Sequence, residues 1–126
     1  MVFWILAGLA VYLANVYLAG MMLMARIGPV AYMGPRDSLP QPGLYRARAL
    51  KAAHNLAENL PVFLGLGLLA LLVEGANMAL AVWGAQVFVL SRILYVGVYI
   101  AGVPLVRSVV FTVGLAGLIM MAAALF

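Results

Sequence analysis

Three short runs put charged and hydrogen-bonding side chains into an otherwise apolar chain. Arg48, Lys51, Asn55 and Glu58 follow one another at spacings of three and four, which aligns side chains along one helix face. Arg92, Tyr95 and Tyr99 repeat that spacing, and Arg107 with Ser108 forms the third run. Together they supply several cations, one carboxylate, an amide and two phenols. Such a set suits a small, polyanionic, peptide-like ligand. Metal chemistry is not indicated: the chain has no cysteine and a single histidine, His54, so neither a thiolate site nor a histidine cluster is available. The net charge of +4 does not indicate nucleic acid, because the basic residues are few and lie beside apolar spans, where membrane topology accounts for them.

The elements that must position these residues are membrane helices. The 126 residues are 68% hydrophobic and 8% charged, with a mean hydropathy of +1.20. A soluble domain of this length lacks the polar surface for that composition. An all-α bundle of four transmembrane helices is expected, over about residues 2–25, 44–73, 77–102 and 104–126, each long enough for a hydrocarbon core that needs about 20 residues. The first has no basic leader and no clear cleavage site, so it reads as a retained helix. Residues 26–43, with Gly34-Pro35, Pro40 and Pro42, read as an irregular loop. Pro61 falls inside the second span and should kink it. Gly102-Val103-Pro104 separates the last two spans, with Pro104 suited to a first helical turn. The first loop and its flanks carry Arg26, Arg36, Arg46, Arg48 and Lys51, whereas the second carries only Glu74. The first and third loops are therefore expected in the cytoplasm and both termini on the other side.

Glu58 and Arg92 stand out because an ionisable group at mid-membrane costs at least ~2.5 kcal/mol. Each lies about ten residues, or ~15 Å of helix rise, from the same end of its span. A buried Glu58–Arg92 ion pair is expected, with the three polar runs meeting in one cavity on the cytoplasmic side. Structural readings stand beside this one. The ion pair would equally lock two helices, Arg46, Arg48, Lys51 and Arg107 would snorkel to headgroups, and Tyr99 fits an interfacial belt. His54 reads as a helix-surface residue, Met21, Met22 and Met24 as lipid-facing or packing, and Gly65, Gly67 and Gly97 as close-packing positions.

The run from Arg48 to Pro61, with Lys51, Asn55, Glu58 and then Pro61, resembles the second-helix signature of the MAPEG family (membrane-associated proteins in eicosanoid and glutathione metabolism). Arg92-Ile93-Leu94-Tyr95-Val96-Gly97-Val98-Tyr99, followed by Arg107-Ser108, resembles its third- and fourth-helix motifs. The resemblance spans the chain and is greatest to bacterial members of the microsomal glutathione transferase type. It implies a homotrimer in the bacterial inner membrane, with glutathione as cosubstrate bound between subunits. It further implies that Arg48, Lys51, Asn55, Glu58, Arg92, Tyr95 and Tyr99 bind glutathione, and that Arg107 and Ser108 activate its thiol. Lys51 stands where the family usually has arginine, and it lacks arginine's planar two-pronged grip. Ala53 and His54 stand where eukaryotic members have a glutamine or a His-Arg pair, and Phe111 where prostaglandin E synthase has tyrosine.

The expected activity is transfer or peroxidase chemistry on a lipophilic electrophile, a hydrophobic small molecule or lipid that arrives from the bilayer. A free thiol ionises near pH ~8.5, and lowering that by two units takes roughly 2.7 kcal/mol, which a desolvated Arg107 would supply. A non-catalytic family member that binds a lipid or partner is the alternative. A small multidrug transporter has a similar helix plan, but that class relies on a first-helix carboxylate that this chain lacks. Nothing in the sequence directly supports an assembly or chaperone subunit.

Overall fold

The computed structural model describes residues 1–35 and 37–126. Its elements are α1 (Val2–Ile27), α2 (Pro29–Met33), α3 (Leu44–Leu72), α4 (Met78–Ala101) and α5 (Pro104–Ala123). All but α2 are long and apolar enough to cross a membrane. Arg36, one of the basic residues assigned to the first loop, lies outside the described residues.

Residues 26–43 are less irregular than their prolines imply. α1 runs on to Ile27, Gly28 takes a positive φ of 82°, and a five-residue helix restarts at Pro29. Proline at a first helical position lacks only an N–H that would be unpaired there, and its fixed φ already suits a helix.

The bundle core is small and aromatic at its centre. Phe63 of α3 stacks on Phe88 of α4 with ring centroids 4.6 Å apart. Leu56, Leu60, Ala85, Val89, Leu118 and Met121 surround them. A smaller buried cluster of Ala70, Ala81 and Ala124 lies apart from it, and many large apolar residues face outward: Leu72 and Leu105 are each 77% exposed. In water that surface would drive aggregation; against lipid tails it is the matched solvent.

α4 and α5 form the most extensive helix pair. Gly84 and Gly117 face each other so closely that a Cβ on either would lie 2.6 Å from the other's carbonyl oxygen. Among the positions read as close-packing, Gly67 meets Ile5, whereas Gly65 and Gly97 have nothing within 4 Å of an added Cβ in this chain. The sequence reading therefore located one of the close-packed glycines, Gly67, and did not single out Gly8, Gly84, Gly114 and Gly117, which make closer approaches. Helical periodicity alone does not say which side of a uniformly apolar helix meets a neighbour.

Both ends of the α4–α5 pair are tied. Asn77 caps α4 by accepting from the Leu80 N–H at 3.1 Å, and its own N–H donates to the Ala124 carbonyl at 2.7 Å. At the other end Gly102 adopts the left-handed conformation, and its N–H closes onto the Tyr99 and Val98 carbonyls. Only Gly102 and Val103 separate the two helices. That short link makes them antiparallel and sets the last turn of α4 beside the first turn of α5.

Candidate functional site

The polar stripe of α3 divides in two. At about 100° per residue, Arg48 and Asn55, seven residues apart, share one line near the packed face. Lys51, His54 and Glu58 share another, turned further outward. This division decides what each residue meets.

Glu58 does not pair with Arg92. Its carboxylate Oε1 lies 3.3 Å from Nε2 of His54, one turn back on the same helix, and the two side chains are 59% and 76% exposed. The expected buried ion pair is therefore replaced. Glu58 lies on the outward line, exposed on the surface of this chain, and Asn55 occupies the inward line that faces α4. Arg92 Nη1 donates to Oδ1 of Asn55 at 2.9 Å.

Arg92 is 2% exposed and has no carboxylate partner among the described residues. Three ring faces enclose its guanidinium: Phe88 at 4.9 Å, Phe111 at 5.1 Å and Tyr95 at 5.5 Å to the centroids. Burying a cation costs several kcal/mol, and desolvated cation–π contacts offset about 2 kcal/mol each. Gly114 makes the slot, because a Cβ there would sit 2.6 Å from Arg92 Nη2. Nε and Nη2 are buried and make no hydrogen bond.

Arg48 also leaves the cleft. Its Nη1 donates to the Ile100 carbonyl at 3.0 Å, and its guanidinium lies against Gly102. It thus places a cation at the C-terminus of α4, where the helix dipole favours one. Alanine at position 102 would strain the positive φ, a cost of roughly 1–2 kcal/mol for an L-residue in the left-handed region, and its Cβ would also collide with Arg48. Gly102→Ala and Arg48→Ala should each lower the thermal midpoint in micelles. The double variant should fall short of the sum, because removing Arg48 relieves the collision; strict additivity would rule that contact out.

The remaining polar residues meet around two adjoining open clefts. One, of about 440 Å³, is lined by Leu50, Lys51, His54, Asn55, Glu58, Tyr95 and Tyr99. The other, of about 380 Å³, is lined by Asn55, Tyr95, Tyr99, Arg107, Ser108, Phe111 and Thr112. Asn55 and the two tyrosines form the shared wall, and the tyrosine rings meet edge to face at 5.4 Å. Arg107 stacks on Tyr99, with its guanidinium carbon 4.9 Å from the ring centroid. Ser108 Oγ donates to the Pro104 carbonyl at 3.1 Å, so its proton is committed within its own helix.

Lys51, Asn55, Glu58, Tyr95, Tyr99, Arg107 and Ser108 are thus brought together, whereas Arg48 and Arg92 stand behind the walls. Sequence reasoning missed two polar lining residues, besides the apolar Leu50 and Phe111. Thr112 lies four after Ser108 and so shares its face of α5. His54 was read as a surface residue; it is one, but the surface it occupies is a cleft wall. No cluster of three metal-ligating residues occurs among the described residues.

A bundle of four membrane-length helices, with a recess lined by charged and polar side chains near the α4–α5 turn, defines a multi-pass membrane protein. The sequence profile of the MAPEG family matches residues 1–126, the whole chain, and the protein belongs to that family. Searches of curated proteins and of solved structures each found no match.

Proposed function

We propose that this protein is a membrane-embedded, glutathione-dependent transferase or peroxidase that acts on a lipophilic electrophile. The observation that carries the reading is the pair of clefts joined at Asn55, Tyr95 and Tyr99. The first offers a cation and a carboxylate, Lys51 and Glu58, for the charged ends of a tripeptide. The second offers Arg107 for its thiol. Arg107 sits in the first turn of α5, whose N-cap Val103 has no side-chain cap. A cation there opposes the helix dipole, and an anion bound beside it is favoured by both the guanidinium and the helix end. A thiolate is such an anion. Attack on an electrophile forms a sulfur–carbon bond and expels the leaving group, and the second cleft, bounded by α4 and α5, gives the thiolate access to reactants dissolved in the bilayer.

The reading extends to a homotrimer in the bacterial inner membrane, with the first and third loops in the cytoplasm. Family membership supports the assembly. The basic residues Arg26, Arg46, Arg48 and Lys51, set against Glu74 in the second loop, support the orientation.

The test is a glutathione titration of the purified protein in micelles, followed by the ultraviolet absorbance of the thiolate at neutral pH and by conjugation of a lipophilic aryl halide. Thiolate absorbance that saturates with glutathione, together with turnover, is the expected result. Absence of both, in a protein that still binds lipid, would establish instead a non-catalytic, lipid-binding member of the family.

A further inference from the structure

The amide of Asn55 stands with the phenols of Tyr95 and Tyr99 at the junction of the two clefts, and a buried side chain behind the wall fixes its orientation. A guanidinium carries only donors. Arg92, buried behind the wall, therefore has to face the oxygen of Asn55, as it does through Nη1 at 2.9 Å. The nitrogen end must then point the other way. Nδ2 of Asn55 has no hydrogen-bond partner among the described residues and is not among their buried unpartnered atoms, so it opens into the cleft that Asn55 lines. The Asn55 backbone carbonyl is already engaged by Asn59 Nδ2 at 2.7 Å.

From this geometry we infer that Arg92 is a positioning residue that orients the Asn55 amide, so that the middle of the site presents a hydrogen-bond donor and selects a ligand with a carbonyl or carboxylate oxygen there. The inference rests on the reading of the clefts as a glutathione site and adds to it. The first cleft recognises charge, the second stabilises an anion, and the junction reads an acceptor on the backbone of the ligand. It also gives a role to a cation held in a mid-bundle slot with no carboxylate partner among the described residues. A neutral side chain able both to donate and to accept would let the amide turn over and offer its oxygen instead. The aromatic rings on Arg92 hold the guanidinium in place without competing for its N–H groups.

The test uses the full chain in micelles, with Arg92→Gln, Arg92→Lys and Asn55→Asp. Glutamine both donates and accepts, whereas lysine, like arginine, only donates. Loss of one well-placed donor to a charged or polar acceptor corresponds to about tenfold or more in affinity. Arg92→Gln should weaken glutathione binding by at least about that factor, and Arg92→Lys should keep it within about threefold. A second readout is the side-chain amide resonances of nitrogen-15-labelled asparagine, in a chain whose asparagines are Asn15, Asn55, Asn59 and Asn77. The Asn55 pair, identified by its loss in Asn55→Asp, should shift in Arg92→Gln and be preserved in Arg92→Lys. Unchanged Asn55 resonances and unchanged affinity in Arg92→Gln would overturn the inference. If the parent protein binds no glutathione, the proposed function fails, while the resonances still decide whether Arg92 orients Asn55. If Arg92→Gln does not fold, Asn55→Asp decides: its carboxylate accepts from Arg92 but offers no donor, so undiminished glutathione binding in that variant would overturn the inference.

Discussion

Replacing Arg107 by alanine is expected to leave glutathione bound but almost wholly protonated, and to reduce conjugation at neutral pH by more than tenfold. The argument is one of charge. A thiol with an ordinary pKa near 8.5 is only about 3% thiolate at pH 7, whereas one lowered by two units is about three-quarters thiolate, a change worth roughly 2.7 kcal/mol. Lowering the pKa favours the anion, so the advantage of Arg107 is greatest below the ordinary thiol pKa and disappears above it. The variant should therefore recover toward the parent rate as pH rises past ~8.5. Arg107→Lys keeps the charge but loses the planar stack on Tyr99, 4.9 Å away, and should fall between the two. The measurement is thiolate absorbance and initial rate across pH 6 to 10. A pH-independent loss of rate would mean that Arg107 positions the electrophile and does not stabilise sulfur. Ser108→Ala should change the rate by less than about threefold, because the hydroxyl proton is held by Pro104 and only the oxygen lone pairs face the cleft.

The spans were legible in the sequence because the bilayer imposes a length and a composition, and Gly and Pro mark where the chain turns. Which polar residues share a helix face was legible for the same reason: helical spacing is a property of the sequence. Which of them touch was not. Asn55 and Glu58 are three residues apart and lie on neighbouring lines of α3, and a rotation of that helix by tens of degrees would exchange the partner of Arg92. Sequence pattern also favours pairing opposite charges, yet Glu58 faces outward beside His54, and Arg92 is enclosed by the faces of Phe88, Tyr95 and Phe111, which carry no charge to signal the contact. Arg48 shows the same limit. It lies in the basic run that resembles a ligand-binding motif, but it donates to the carbonyl of Ile100 at the end of α4, a backbone group invisible to any reading of side chains.

Gly84→Ala and Gly117→Ala are expected to be the most damaging small substitutions in the chain. Without a hydrophobic driving force between helices in lipid, close packing carries association, and small residues allow backbones to approach. An added methyl would meet main-chain atoms at both positions: at Gly117 the Gly84 oxygen at 2.6 Å and the Phe88 nitrogen at 2.8 Å, and at Gly84 the Gly117 oxygen at 2.6 Å and the Met121 nitrogen at 2.9 Å, with the Met121 Cγ beside it. No rotamer change relieves the main-chain contacts, so α4 and α5 must separate. Overpacking typically costs 1–3 kcal/mol, and a clash with backbone belongs at or above the top of that range. Separation would also open the slot at Gly114 that holds Arg92 and part Tyr99 from Arg107, so glutathione binding should fall together with stability. The controls are the same substitution at Gly65 and Gly97, where nothing lies within 4 Å of the new methyl. There alanine should be neutral, or favourable by up to about 0.5–1 kcal/mol through helix propensity. Denaturant unfolding of the four variants in micelles separates the cases. Equal stability of Gly117→Ala and the parent would contradict the close approach. A loss at Gly97→Ala to match Gly117→Ala would place a second copy of the chain against that exposed face of α4, as a trimer requires of some surface.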